Sequence, residues 1–293
     1  MVYKYAILLS MTDQRGHKLN QLQSLLPEGL LVDSAWLEAG GYSRPLISQY
    51  ASAGWLERPA RGVYRRPGGK TQWQHVVISL QALLSVPVIV GGKTALDLQG
   101  LSHYLSLGGV RTVHLYGEKA LPGWVHKLGL ETRFTFHNAK KLFREEPIAR
   151  GLSSVSWDMK EHSFTSNDPI HGGLRQLSWG QWDWPITVST PERAILELLD
   201  DVPGKESFHQ ADKLMEGLHS LSPRRLQKLL EDCRSVKVKR LFLWFAERHQ
   251  FRWLKRIEQD RIDLGKGKRM LVRGGKFDSK YMITVPEDLD GNQ

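Results

Sequence analysis

The sequence predicts an α+β protein, an N-terminal winged helix-turn-helix followed by a larger mixed α/β C-terminal domain. Three observations lead there. Residues 18–66 carry three short amphipathic helix patterns and then two strand patterns around a glycine turn. Residues 76–200 interleave β-rich runs with helical ones. The length, 293 residues, fits about two domains at ~150 residues each. The boundary is expected near residue 75, giving 1–75 as the winged helix-turn-helix unit and 76–293 as the C-terminal unit.

Composition sets the outer limits. Hydrophobic residues are 41% and charged residues 25%, ample apolar material for a folded chain, so disorder throughout is excluded. No apolar run approaches the ~20 residues of a membrane-spanning helix, and no membrane partner is expected. Met1–Ser10 is apolar but short, follows no charged cluster and lacks a small-residue cleavage pattern, so it does not read as a signal peptide. Cys233 stands alone, which excludes an internal disulfide framework or thiolate metal cluster and points to a reducing compartment, the cytoplasm.

The elements follow in order. Lys18–Leu26 places Leu19, Leu22, Leu25 and Leu26 on one helical face, and Pro27 and Gly29 end it. Asp33–Ala39 is a second helix, capped by Asp33 or Ser34 and stopped by Gly40-Gly41. Ser43–Ala53 is the third. Trp55–Arg58 and Val63–Arg66 read as strands around the turn Pro59–Gly62. Further strands are expected at Val86–Val90, Thr112–Tyr116, Thr132–His137, Leu174–Ser178 and Ile186–Ser189. Thr190-Pro191-Glu192 opens a helix with a cap, a proline at the first position and an acid at the positive dipole end. Ser222-Pro223 opens another in the same way, running to about Cys233. Val236–Gln250 is an apolar, basic helix. Arg269–Val272 and Tyr281–Val285 read as a closing hairpin with Gly274-Gly275 in its turn.

The third helix carries the functional reading. Leu46, Ile47, Tyr50 and Ala51 share one face and pack inward. Pro45, Ser48, Gln49 and Ser52 form the opposite stripe, with Ser43 and Arg44 at its start. In a winged helix that stripe enters the DNA major groove. Arg and Gln match purine edges, Ser bonds bases or phosphate, and the helix N-terminus attracts phosphate. Ser43, Arg44, Ser48, Gln49 and Ser52 are therefore the base-side candidates. Arg58, Arg61, Tyr64, Arg65 and Arg66 would arm the wing against the backbone. The same unit could instead dock a protein.

Charge agrees with a polyanionic partner. The net charge is +10 and the pI about 9.6. Residues 1–75 hold 9 basic and 5 acidic side chains, residues 76–233 hold 17 and 18, and residues 234–276 hold 14 and 4. The segment 234–276 offers a second basic surface through Lys237, Lys239, Arg240, Arg248, Arg252, Lys255, Arg256, Lys266, Lys268 and Arg269. It could extend the DNA footprint or meet RNA or an acidic protein, or its charges could simply solvate a surface.

Catalytic patterns are weak. Gly91-Gly92-Lys93-Thr94 follows a strand, but a phosphate loop needs glycine where Pro87 stands. Eleven histidines include no H-x-x-x-H pair, so no structural zinc is expected and no cofactor or metal is assigned. Asp158-Met159-Lys160 could close a metal-dependent nuclease site, yet no second carboxylate stands at a set strand spacing. The only Asp-x-Asp, Asp288-Leu289-Asp290, lacks the Gly-Ser pair of a nucleotidyltransferase. No catalytic residue is named and no enzyme is expected. Trp55, Trp124 and Trp244 sit in apolar contexts and are expected in the core; the cluster Trp179, Trp182 and Trp184 has no evident role.

Four stretches carry a resemblance. They are Ser43–Tyr50 with Gly54–Tyr64, Gly92–Gly100, Thr190-Pro191-Glu192-Arg193-Ala194, and Lys276-Phe277 with Tyr281–Pro286. In this order they resemble AbiEi-family antitoxins of type IV toxin–antitoxin systems. The resemblance implies a bacterial transcriptional autorepressor bound to operator DNA with inverted repeats. It also implies an antitoxin that counters a nucleotidyltransferase toxin, often without a stable complex. The alternatives from the residues alone are a winged-helix-targeted nuclease using Asp158 and Lys160, and a protein-docking adaptor.

Overall fold

The computed structural model describes residues 17–102, 112–145, 148, 152, 155–158, 163–166 and 173–289. Helix α1 spans 17–25 and buries Leu22. Strand β1, Leu31–Asp33, follows at once, a strand the sequence reading missed because three residues are too few to show alternation. Asp33 then caps α2, Ser34–Ala39, by accepting from the Trp36 N–H. Helix α3 is Arg44–Ser52, with Pro45 in its first turn and Ile47 and Tyr50 buried. Strands β2, Glu57–Ala60, and β3, Val63–Arg65, make the wing. Gly62 takes φ +75° at the turn, and β2 shifts register between Glu57 and Ala60, where Pro59 cannot donate to a ladder. The three strands form one sheet in the order β1-β3-β2.

Helix α4, Trp73–Ile78, continues as a wider turn through Ser79–Leu83 and joins this unit to the rest. Ser79 Oγ accepts from the Leu31 N–H at 2.7 Å. His75 packs edge-on against Trp179 and Trp184, which gives two members of the tryptophan cluster a packing role. Trp182 is half exposed.

The larger unit is built on a mixed five-stranded sheet. Its strands are β4 (Val88–Val90), β5 (Thr112–Gly117), β6 (Arg133–Asn138), β9 (Leu174–Trp179) and β10 (Trp184–Ser189), in the order β6-β5-β4-β10-β9. A separate hairpin pairs β7, Val155–Asp158, with β8, Ser163–Ser166. Helix α5, Gly92–Leu98, packs on α6, Pro191–Asp201. Further helices among the described residues are α7 (Phe208–Glu216), α8 (Pro223–Asp232) and α9 (Val236–Arg248). Ser222 caps α8 with its side chain, whereas Thr190 stands at the cap position of α6 without doing so.

The closing hairpin differs from expectation. Its strands are β11, Lys276–Asp278, and β12, Ile283–Val285, so Gly274-Gly275 precede the hairpin instead of forming its turn. Gly275 makes this possible: a Cβ there would meet the Val285 carbonyl oxygen at 2.3 Å. The turn is set by Asp278, whose carboxylate accepts from the Tyr281 N–H. Arg269 keeps only an isolated bridge to Ile283.

Candidate nucleic-acid interface

The outer stripe of α3 is free. Ser43, Arg44, Pro45, Ser48, Gln49 and Ser52 are all exposed, while Ile47 and Tyr50 fill the core beneath them. Ser43 occupies the cap position, yet its hydroxyl makes no capping bond, which leaves the first-turn N–H groups open to an outside acceptor. Ser52 Oγ donates back to the Ser48 carbonyl at 3.0 Å. Arg44 reaches across to Glu38 at 2.9 Å, a pair lying in solvent, so screening keeps its contribution small.

A cleft of about 350 Å³ runs between this helix and the wing. Ser34, Glu38, Arg44, Ser48, Arg58 and Tyr64 line it. Arg58 and Arg61 are exposed, with no acidic partner among the described residues. Ser34 holds the wing turn by donating from its N–H to the Gly62 carbonyl at 3.0 Å.

The other two wing arginines are placed differently. Arg65 donates to Glu57, to the Gly69 carbonyl and to Thr71 Oγ1. Arg66 donates to the Gln23 and Leu26 carbonyls at the end of α1 and to Glu28. Both are half-buried and lock the wing to the body, because guanidinium forks suit clustered carbonyl and carboxylate oxygens. Trp55, expected in the core, is 48% exposed; the alternation gives the inward place to Leu56.

Four of the ten cations named for the second basic surface, Lys237, Lys239, Arg240 and Arg248, turn inward. Lys239 and Arg240 are each only 2% exposed. Arg240 donates to the carbonyls of Leu264, Gly265, Gly267 and Met282. Lys237 donates to the Asp200 and Val202 carbonyls, and Arg248 to Asp212 and the Leu289 carbonyl. Arg252, Lys255, Arg256, Lys266, Lys268 and Arg269 are exposed. Lys268 lies over the Phe277 ring. Of the nuclease candidates, Asp158 ends β7, while its side chain and Lys160 fall outside the described residues.

A polar cluster behind the sheet was not anticipated. Glu197 accepts from the Gly92 N–H at 2.9 Å, from Ser189 Oγ at 2.8 Å and from Arg193 Nε at 2.9 Å. Burial raises its carboxyl above the ordinary range, while the Arg193 charge and the hydrogen bonds from Gly92, Ser189 and Arg193 pull the other way. Tyr116 donates to the Glu197 carbonyl and stacks on His137. His137 Nε2 lies 3.1 Å from His114 Nδ1. Burial first, and then His137, lowers His114 to about 4. Period-2 alternation was the signal for these residues: His114 and Tyr116 share one strand face, with Val113 and Leu115 on the other.

Two family models match this architecture over nearly the whole chain. Residues 15–107 match "Transcriptional regulator, AbiEi antitoxin N-terminal domain", and residues 110–286 match "Transcriptional regulator, AbiEi antitoxin, Type IV TA system". The chain belongs to the AbiEi antitoxin family. Its role is thus that of an antitoxin and transcriptional regulator. No protein of curated function matches it in sequence. One solved structure, "Crystal structure of RV2827C protein from Mycobacterium tuberculosis", overlays with a TM-score of 0.49 at 13% identity, over 87% of this chain and 85% of that one. No helix among the described residues is long and apolar enough to cross a membrane.

This AbiEi antitoxin explains two of its own sequence stretches physically. The Thr190–Ala194 segment delivers Arg193 and, one turn later, Glu197; the Gly92–Gly100 segment delivers the N–H that Glu197 grips. A Cβ on Gly91 would stand 2.3 Å from Glu197 Oε2 and 2.4 Å from the Tyr116 ring. Glycine is therefore the residue that lets α5 start against α6.

Proposed function

We propose that this AbiEi antitoxin binds double-stranded operator DNA through residues 1–75 and represses its own operon, and that it counters a nucleotidyltransferase toxin without being an enzyme itself. One observation carries the DNA reading: the exposed stripe Ser48, Gln49 and Ser52 stands beside a cleft whose far wall holds Arg58, with Arg61 at the wing tip. The helix supplies hydroxyl and amide groups for base edges, and the arginines supply phosphate contacts. Operators with inverted repeats and the toxin class rest on family membership, and the cytoplasmic location on the lone Cys233.

The test is titration of fluorescent promoter DNA with the purified protein at several salt concentrations. If about six cationic side chains reach phosphates, log K falls against log salt with a slope of roughly −5. Salt-independent binding, or no shift at low salt, overturns the reading, and the latter result favours a protein-docking adaptor. The toxin arm is tested by co-expression with the neighbouring nucleotidyltransferase gene and scoring growth rescue.

A further inference from the structure

We propose that His114, His137 and Asp201 form a binding site for one divalent transition-metal ion of the zinc type, which clasps the C-terminal end of α6 to strands β5 and β6. The three residues come from three elements, and their ligand atoms form a small triangle. His114 Nδ1 and His137 Nε2 are 3.1 Å apart. Asp201 Oδ2 is 3.6 Å from the His137 nitrogen and 3.9 Å from the His114 nitrogen. A tetrahedral zinc site with bonds of about 2.0–2.1 Å spaces its ligand atoms roughly 3.3 Å apart. The triangle brackets that spacing.

The two rings lie within hydrogen-bonding distance of one another, but the carboxylate does not reach either. At 3.6 and 3.9 Å the carboxylate makes no hydrogen bond to either ring. Its side chain is only 10% exposed, and the nearest cation to it among the described residues, Lys205, stands 3.6 Å from the other oxygen. A nearly buried carboxylate held just out of reach of two imidazole nitrogens is the arrangement a central cation completes. Two imidazoles and one carboxylate select zinc, cobalt or nickel over magnesium or calcium, which prefer all-oxygen shells. The rings are 10% and 12% exposed, so solvent can reach the remaining coordination position. Lys205 and Lys93 are the cations facing the cluster, and Asp200 the additional anion.

The experiment uses tag-free, chelator-treated full-length protein titrated calorimetrically with zinc chloride. One equivalent binds, and excess magnesium does not compete. Asp201→Asn and His137→Ala each weaken binding at least tenfold, while His126→Ala, at an exposed ring outside the triangle, changes nothing. Lys205→Gln tightens binding, since it removes a like charge beside Asp201; a purely structural role for the lysine predicts no such gain. X-ray absorption of the zinc-loaded wild-type protein needs no variant, and it shows two imidazoles with oxygen completing the shell. No binding at micromolar zinc, affinity indifferent to both ligand substitutions, or a shell without two imidazoles overturns the site.

Discussion

The winged unit and the segment 234–276 both divide their lysines and arginines between solvent and internal bonds, but the cations that turn inward are buried to different depths. On the winged unit Arg58 and Arg61 stand in solvent around an open cleft. In the C-terminal segment Arg240 is buried against four loop carbonyls, and Lys237 and Arg248 likewise close on carbonyl oxygens. The difference lies in the neighbouring backbone. On the wing Arg65 and Arg66 find carbonyls only at the ends of regular elements, at Gly69, Gln23 and Leu26, and stay half-buried. The loop before β11, with Leu264, Gly265 and Gly267, has carbonyls without ladder partners, and Arg240 supplies them with donors. Density of positive charge in a sequence therefore marks a binding face only where regular structure leaves it nothing internal to bond.

The strongest way to break this comparison is Arg240→Ala. It removes a buried guanidinium and its bonds to four loop carbonyls, and is expected to cost about 3 kcal/mol, read by urea denaturation. A loss within about 0.5 kcal/mol, typical of surface changes, would mean the segment is a surface after all. Gly91→Ala comes next, with an expected cost of about 2 kcal/mol from the clash with Glu197 and Tyr116. Gln49→Ala should leave stability within about 0.5 kcal/mol yet weaken operator binding by about 1–3 kcal/mol. An equal loss on random DNA would show that Gln49 touches phosphate only. Replacing Arg58 or Arg61 by Ala should reduce the salt slope by about one each, whereas Arg252→Ala should leave it unchanged if the C-terminal segment lies off the duplex.

Two smaller effects sharpen the account of the C-terminal unit. Burial works against the charge of Asp212, but hydrogen bonds from His249 and Arg248 outweigh it and hold its carboxyl below the ordinary range. Its folded form thus binds its proton less readily than the unfolded chain. The stability it confers is present at neutral pH and is lost as pH falls through the acid range; Asp212→Asn should flatten that part of the profile. Cys233 is fully buried and its thiol is pushed up to about 11, chiefly by burial. It should resist thiol reagents at neutral pH until the protein unfolds, and rapid labelling of the native protein would contradict that burial.

Much of this was legible residue by residue. The amphipathic face of α3, its proline and exposed polar stripe, the strands of the central sheet and the capped starts of α6 and α8 follow from local periodicity and cap chemistry. Strand β1, helix α4 and helix α7 were not read; in β1 three residues are too few to show alternation. The hairpin partner was misread because Val285 pairs with Lys276, a choice fixed by the close approach at Gly275 rather than by strand propensity. The histidine pair escaped because metal ligands were sought at fixed helical spacing, whereas here they come from neighbouring strands 23 residues apart.

The sequence alone determined which stretches are helix or strand and which side of each is greasy, because those properties depend on neighbours within a turn or two. Only the tertiary structure decided which cations stay in water, which carbonyls need them, and that His114, His137 and Asp201 converge. Those outcomes depend on atoms brought together from distant parts of the chain, where desolvation and geometry, not residue type, set the energy.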